Sequence, residues 1–280
     1  MSSKIIFLGT AGDSIVTGKQ HRASGGIIID LDDNFYHINP GPGTLVRASQ
    51  YNINLRQNIA LLVSSNDLIE ANDTNAVIDS MTYAGLDMRG VLIAHSTVIE
   101  KTLADKQKQQ ISKIIHAQPG KKLAIENTDI LVLKTTSETE LGFKFQTSDF
   151  VLSYTGNTDY SDEIINQYEN SDIIIMNVNN PGNMHVEGQL CTNDAIKIIN
   201  KLKPQLVILT HFGMKMLKAD PIYEAREIQM KTQVQTVAAK DGFILIPNNF
   251  NSKIKQQTLL DLKIPKKPLI KNNIEEEELY

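Results

Sequence analysis

The chain has 280 residues, a formal net charge of −4 and a pI near 5.9, so its overall field does not draw it onto nucleic acid or an anionic membrane. Its 41% hydrophobic and 21% charged residues are the composition of an ordinary folded domain, and a lone cysteine, Cys191, excludes an internal disulfide and fits a reducing cytoplasm. The opening MSSKIIFLGT carries an apolar run too short for a signal-peptide core, and no later run reaches membrane-spanning length, so the expectation is a cytoplasmic protein without a membrane.

In chain order, Lys4 to Leu8 and the isoleucine-rich Gly26 to Leu31 read as strands. The Asp32-Asp33-Asn34 turn joins the second to Phe35–Ile38 as a hairpin, which ends in the strand-breaking NPGPGT. Ile59 to Ser64 is the next strand, and Asp73 to Met81 has a helical apolar face. A strand over Gly90 to Ala94 leads to a polar segment, Lys101 to Gln118, followed by strands near Ile130 to Lys134, Gly142 to Gln146 and Val151 to Tyr154. Glu163 to Tyr168 is helical, Asp172 to Val178 a strand, and Thr192 to Leu202 a helix with Asn193 and Asp194 in its first turn, where the helix dipole favours them. Gln205 to Thr210 is a strand, Pro221 to Lys231 a helix, and Gly242 to Ile246 a strand. Strands and helices are interspersed in both halves, which predicts a mixed α/β domain over 1–264. The basic and glutamate-rich stretch 265–280 buries little and reads as a charged, disordered tail.

Five short motifs stand in a telling order: FLGTAGD, INPGPGT, SSNDLIE, YTGNTDY and LTHFGMK. Together they resemble the metallo-β-lactamase fold, and within it the ribonuclease Z-like hydrolases. The resemblance runs from Lys4 to about Ile246 and implies a four-layer αββα sandwich. In that family the third motif is S-H-x-H-x-D-H, and its histidines and aspartates carry two metal ions, usually zinc, with a metal-bound hydroxide as nucleophile.

The resemblance places Ser65 and Asp67 at the first two histidines of that motif, Ile69 at its aspartate and Glu70 at its last histidine. The bridging aspartate of the family's G-D-T falls on Asn157, and only the terminal histidine persists, as His211. A further ligand histidine is absent from KTTSETE, and the family's H-x-x-T reads QLCT here, with Gln189 in place of the histidine. Ile69 places hydrocarbon where the second metal belongs. Acidic positions at Asn39, Ile69 and Asn157 have lost their charge together, as expected once the cations they balance are gone. The reading is therefore a degenerate hydrolase with no catalytic residues and no cofactor, a non-catalytic binding or assembly protein that takes an unknown protein partner or a small anionic ligand held by backbone amides, or a subunit of a larger assembly that docks through its acidic tail. Two alternatives accompany it. Asp67, Glu70 and His211, or Asp73, hold one hard divalent cation in an active phosphodiesterase or esterase, or Lys134 or Lys215 pairs with Asp67 or Glu70 and fills the vacated site. His211 is otherwise expected to hydrogen-bond Asn157.

Other candidates have plainer readings. GDSIVTGK, from Gly12 to Lys19, has one residue too many between its glycines for a phosphate loop, and Gln20 follows the lysine. His21, His37, His95 and His185 lack partners at ligand spacing, and Cys191, at a helix start, reads as an inert thiol. No tryptophan and 6% aromatic residues leave no stacking platform for nucleic acid.

Overall fold

A computed structural model describes residues 3–250. The tail predicted over 265–280 lies outside the described residues, as does the end of the 1–264 domain.

The described strands form two sheets. The first contains β1 (Lys4–Phe7), β2 (Ile27–Leu31), β3 (Asn34–Ile38), β4 (Asn58–Val63), β5 (Val91–Ala94) and β6 (Lys113–His116). The second contains β7 (Lys122–Ile125), β8 (Thr128–Lys134), β9 (Leu141–Gln146), β10 (Val151–Tyr154), β11 (Ile173–Asn180), β12 (Leu190–Cys191), β13 (Leu206–Thr210) and β14 (Gln235–Ala238). A last short strand, β15 (Ile244–Leu245), returns to the first sheet and pairs antiparallel with β1. The orders are β15-β1-β2-β3-β4-β5-β6 and β14-β13-β11-β10-β9-β8-β7, with β12 beside β11. The first sheet is antiparallel from β15 to β3 and parallel from β3 to β6, and the second is antiparallel from β7 to β10 and parallel from β10 to β14.

The strand sequences explain the layers. The centres of strands such as III in IIIDL, LVIL in LVILT and the start of IIIMNVNN are continuously apolar because both faces are covered. Alternate residues divide between two cores: Ile27 and Ile29 face the other sheet, where they join Phe143, Phe145 and Ile175, while Ile28 faces outward with Val77, Ile78 and Met81 of the helix Thr74–Thr82. A third cluster packs Ile198 and Ile199 of Thr192–Leu202, and Ala225 and Ile228 of Pro221–Thr232, onto Ile174 and Val207. The result is helix, sheet, sheet, helix: the expected αββα sandwich. Tyr36 ties the sheets together, edge-on to Phe145 at 5.9 Å between ring centres and donating to the Ile125 carbonyl at 2.7 Å.

Four strands are missing from the sequence reading: the two-residue β12 beside β11, and β6, β7 and β14, each at a sheet edge; the segment read simply as polar holds β6 behind the helices Ser96–Thr102 and Asp105–Lys108. Edge strands are short and charged, so their pairing leaves little trace in hydrophobic pattern. The helices Ser14–Gly18, Thr44–Gln50 and Met214–Ala219 were also illegible, being no more than two turns long and started by loop contacts. Asp13 shows how: one carboxylate oxygen accepts from Val16 N at 2.7 Å and the other from Met214 N at 2.8 Å, so the stretch resembling a phosphate loop is a helix start tied to the second sheet.

Candidate functional site

Strands of both sheets end at one rim, and their last residues turn polar. After β3 comes Asn39, held in the left-handed region at φ 54°. Its amide donates to Ser64 Oγ at 2.8 Å and to the Tyr154 hydroxyl at 2.9 Å, and its oxygen accepts from Ser64 N at 2.8 Å, so one side chain joins β3, β4 and β10. Gly41 follows where a Cβ would lie 2.0 Å from the backbone oxygens of both Ile69 and Ser24, a packing only glycine permits. Asp73, an alternative cation ligand on sequence grounds, is used elsewhere. Its carboxylate accepts from Gly43 N and Thr44 N at 2.9 and 3.0 Å and caps the helix Thr44–Gln50.

The loop after β4 brings four of the family positions to this rim. Ser65, buried, donates to Glu140 Oε1 at 3.1 Å and accepts from Asp67 N at 3.1 Å. Asp67 is exposed, at the start of the short helix Leu68–Ala71, and Ile69 lines the cavity wall. Glu70 is only 1% exposed; its Oε1 accepts from Asn157 Nδ2 at 3.1 Å and lies 3.1 Å from His211 Nε2, while Oε2 has no hydrogen-bond partner.

From the second sheet, Asn177 donates to the Tyr154 hydroxyl at 3.0 Å and to Asn157 Oδ1 at 2.8 Å, and its own Oδ1 is unpartnered. His211 follows β13 in the left-handed region at φ 61°. The loop from the first sheet fastens that strained backbone: Phe212 N donates to Thr10 O at 2.8 Å, Gly12 N to Phe212 O at 2.9 Å, and a Cβ on Gly12 would be 2.0 Å from His211 O. Contrary to expectation, the ring's partner is Asn179 rather than Asn157. Asn179 Nδ2 is 3.1 Å from His211 Nδ1 and donates its other hydrogen to Gly12 O at 3.1 Å.

The Gly12 carbonyl fixes which end of the Asn179 amide is nitrogen, since the flipped amide would set two oxygens against each other. An amide nitrogen only donates, so His211 Nδ1 must accept, and the proton of the neutral ring belongs to Nε2, facing Glu70. The contact between His211 and Glu70 is thus an imidazole N–H approaching a carboxylate, imperfectly aligned, because Nε2 also fails the geometry of a hydrogen bond.

The remaining charge is negative. Burial, with Glu70 and Asp67 nearby, pushes the Glu140 carboxyl up to about 7, against the opposing pulls of Ser65 and His211. Although its side chain reaches solvent, Asp67 is raised by partial desolvation and by Glu70. Burial, with the Glu70 charge beside it, also holds the Tyr154 phenol well above its usual range. Among the described residues no lysine or arginine pairs with Asp67, Glu70 or Glu140; Lys134 pairs with Glu163 at 2.9 Å instead, and no ion pair engages Lys215, so the expected lysine plug is not formed. A cavity of about 30 Å³ lies between these groups, lined by Asn39, Ile69, Glu70, Tyr154, Asn177 and His211.

The donor set does not fit a zinc pair. Family positions hold a hydroxyl, carboxylates, a hydrocarbon and an amide, and among the described residues no three His, Cys, Asp or Glu side chains are grouped as a cation cage. Metal-bound histidines donate their second ring N–H to an acceptor. In His211 Nδ1 faces a donor and Nε2 carries the proton, so neither nitrogen offers a free lone pair to the cavity.

The beta-lactamase superfamily domain model matches residues 36–212, a span that begins in β3 and ends one residue beyond His211. The chain belongs to the beta-lactamase superfamily. This superfamily member is 28% identical over 269 residues to an uncharacterised protein, MJ1374, of Methanocaldococcus jannaschii, covering 92% of this chain and all of that one. Its fold is similar to the metallo-beta-lactamase fold protein YhfI from Bacillus subtilis, with a TM-score of 0.73 at 17% identity over 88% of this chain and 99% of that one. It is similar to the short form of human tRNase Z with a TM-score of 0.64 at 9% identity over 87% and 99%. The ribonuclease Z-like resemblance therefore holds for this superfamily member at the level of fold.

The other sequence candidates fall outside the cavity. Gln189 accepts from Asn180 Nδ2 at 2.9 Å. Cys191 is buried, and its thiol, raised by burial and by the neighbouring Asp194, donates to that carboxylate at 3.1 Å in a capping box. His37 is a core residue bonded to Gly25 O at 3.0 Å, with burial lowering it to about 4. His95 caps a helix by accepting from Thr97 N, and His185 is exposed, 3.7 Å from Asp159. Sequence reasoning missed Glu140, Tyr154, Asn177 and Asn179. Glu140 stands in the segment searched only for a histidine, and the asparagines are the polar end of IIIMNVNN, where an apolar strand breaks into three amides.

Proposed function

We propose that this beta-lactamase superfamily member is a non-catalytic binding protein, which keeps the rim of the hydrolase fold and uses it to hold a ligand or partner without a zinc centre. The observation that carries this reading is the orientation of His211. Asn179 donates to its Nδ1, leaving the Nε2 proton toward Glu70, and the imidazole has no lone pair free to ligate. Ile69 at the cavity wall and the buried Glu70–Asn157 contact support it, since both occupy space where a second ion and its water would stand. The cytoplasmic setting expected from the single cysteine belongs to the same reading.

The second reading is an atypical single-ion hydrolase on Asp67, Glu70 and His211. What favours it is the unpartnered Glu70 Oε2, a buried acceptor of the kind a hard cation takes. Elemental mass spectrometry on untagged protein purified without chelator separates the two. Substoichiometric metal and no hydrolysis of bis(p-nitrophenyl) phosphate with added Mn²⁺ are expected. Near-stoichiometric metal that is lost in Glu70→Gln together with hydrolysis would overturn the binding-protein reading.

A further inference from the structure

Taking the non-catalytic reading as its basis, we propose that the rim cavity binds a primary ammonium group, seated between Glu70 Oε2 and Asn177 Oδ1, with the carboxyls of Glu140 and Asp67 nearby. The ligand class is thereby the reverse of the anionic one that loop amides alone lead one to expect.

Three observations converge on a cationic hydrogen-bond donor. First, Glu70 and Asn177, each about 1% exposed, line the cavity and each leave one oxygen without a partner. Buried acceptors left unpaired are costly, and both lack the same thing, a donor. Second, the charge around them is uncompensated. The groups that bear on this spot are Glu70 and Asp67 from the loop after β4, Glu140 from the start of β9, Tyr154 from β10 and His211 after β13, and none is a fixed cation. A phosphate or carboxylate would meet like charges in a low-dielectric pocket. Third, about 30 Å³ has room for one or two water-sized groups. An ammonium head fits such a space, and a phosphodiester does not.

The shape favours an ammonium over a bare metal ion. Glu70 Oε2 and Asn177 Oδ1 supply two acceptors, and His211 presents an N–H rather than a lone pair, so too few ligands surround the centre for a dehydrated divalent ion. An alkylammonium brings three N–H donors and needs only acceptors. Its alkyl stem can leave past Ile69, and the Asp67 and Glu140 carboxyls, close enough to Glu70 to feel its charge, add to the negative field around the cavity. Both a free alkylamine and a lysine side chain of a protein partner present this head group.

The test is isothermal titration calorimetry on the full chain at pH 8 with 1,4-diaminobutane, with Nα-acetyl-lysine methylamide, and with inorganic phosphate and Mn²⁺ as comparisons. Saturable one-site binding of either amine is expected, and the tighter of the two tells a free amine from a protein lysine. Glu70→Gln should weaken it about tenfold or more, as loss of a charge-assisted hydrogen bond does. Glu140→Gln, which removes a second carboxylate whose charge interacts with Glu70, should weaken it several-fold. Absence of amine binding overturns the proposal, as does affinity indifferent to both substitutions or saturable phosphate binding at the same site. Loss of the proposal in this way leaves the non-catalytic reading standing. That reading falls only with metal-dependent hydrolysis, which the phosphodiester assay reports separately.

Discussion

At the residue scale, Glu140 shows what a vacated charge site costs. The folded chain keeps the Glu140 proton up to about pH 7, whereas the unfolded chain releases it near 4.5, so folding becomes less favourable as pH rises through that window. Glu140→Gln removes the ionised form and retains an oxygen for Ser65 to donate to. It should stabilise the protein at pH 8 by on the order of 1–2 kcal/mol, after screening at a partly exposed group, with the gain shrinking to nothing near pH 4. Urea unfolding at the two pH values checks this, and equal gains at both would contradict it. His37 acts in the opposite sense: with its folded value lowered to about 4 from 6.5, its neutral form stabilises the fold above pH 6.5, a contribution lost on acidification through 4. The tautomer of His211 is equally open to test. Asn179→Asp replaces the donor to Nδ1 by an acceptor, so nitrogen NMR of the imidazole should show the proton moved from Nε2 to Nδ1, or the ring doubly protonated. An unchanged Nε2–H signal would mean that Asn179 does not set it.

At the scale of elements, the site is made by loops that terminate strands, and glycine decides how closely they approach. Gly41→Ala sets a methyl group against the backbone oxygens of Ile69 and Ser24 and would push apart the loops after β3 and β4. A loss of at least about 2 kcal/mol is expected in denaturant unfolding, because backbone cannot yield as a side chain does. The strands were legible in sequence where they are central: III of IIIDL in β2 and LVIL of LVILT in β13 declare themselves by continuous β-branched and aliphatic residues buried on both faces. KIIH and KLAI at the edges did not, since their half-exposed residues pair with neighbours chosen only by topology. The helix Thr192–Leu202 was legible from Asn193 and Asp194 in its first turn, whereas Ser14–Gly18 depends on the contact of Asp13 with Met214, two hundred residues away in the chain.

At the scale of the molecule, the two sheets share one core and meet at one rim, so the first sheet supplies Asn39, Ser65 and Glu70 while the second supplies Glu140, Tyr154, Asn157, Asn177, Asn179 and His211. Hydrogen bonds, through Asn39 with Tyr154 and Glu70 with Asn157, cross the gap that metal ligation bridges in a zinc-bearing site. On the proposed reading, prolonged dialysis against EDTA should leave the melting temperature unchanged within measurement error. A fall of several degrees, restored by one divalent metal, would show that an ion contributes to folding after all.

The sequence alone determined the family, the order of the central elements and the absence of the third motif's histidines, because these depend on residue type and local spacing. It also located six family positions, Ser65, Asp67, Ile69, Glu70, Asn157 and His211, and the structure brings all six to one rim. Only the tertiary structure decided what they do there. Whether His211 offers a lone pair or a proton depends on Asn179 and on the Gly12 carbonyl, contacts between residues 32 and 167 positions apart in the chain. Whether Glu70 is a solvated loop carboxylate or a buried acceptor depends on packing against a second sheet. Charge, tautomer and unpaired oxygen belong to a three-dimensional neighbourhood, and no linear motif records them.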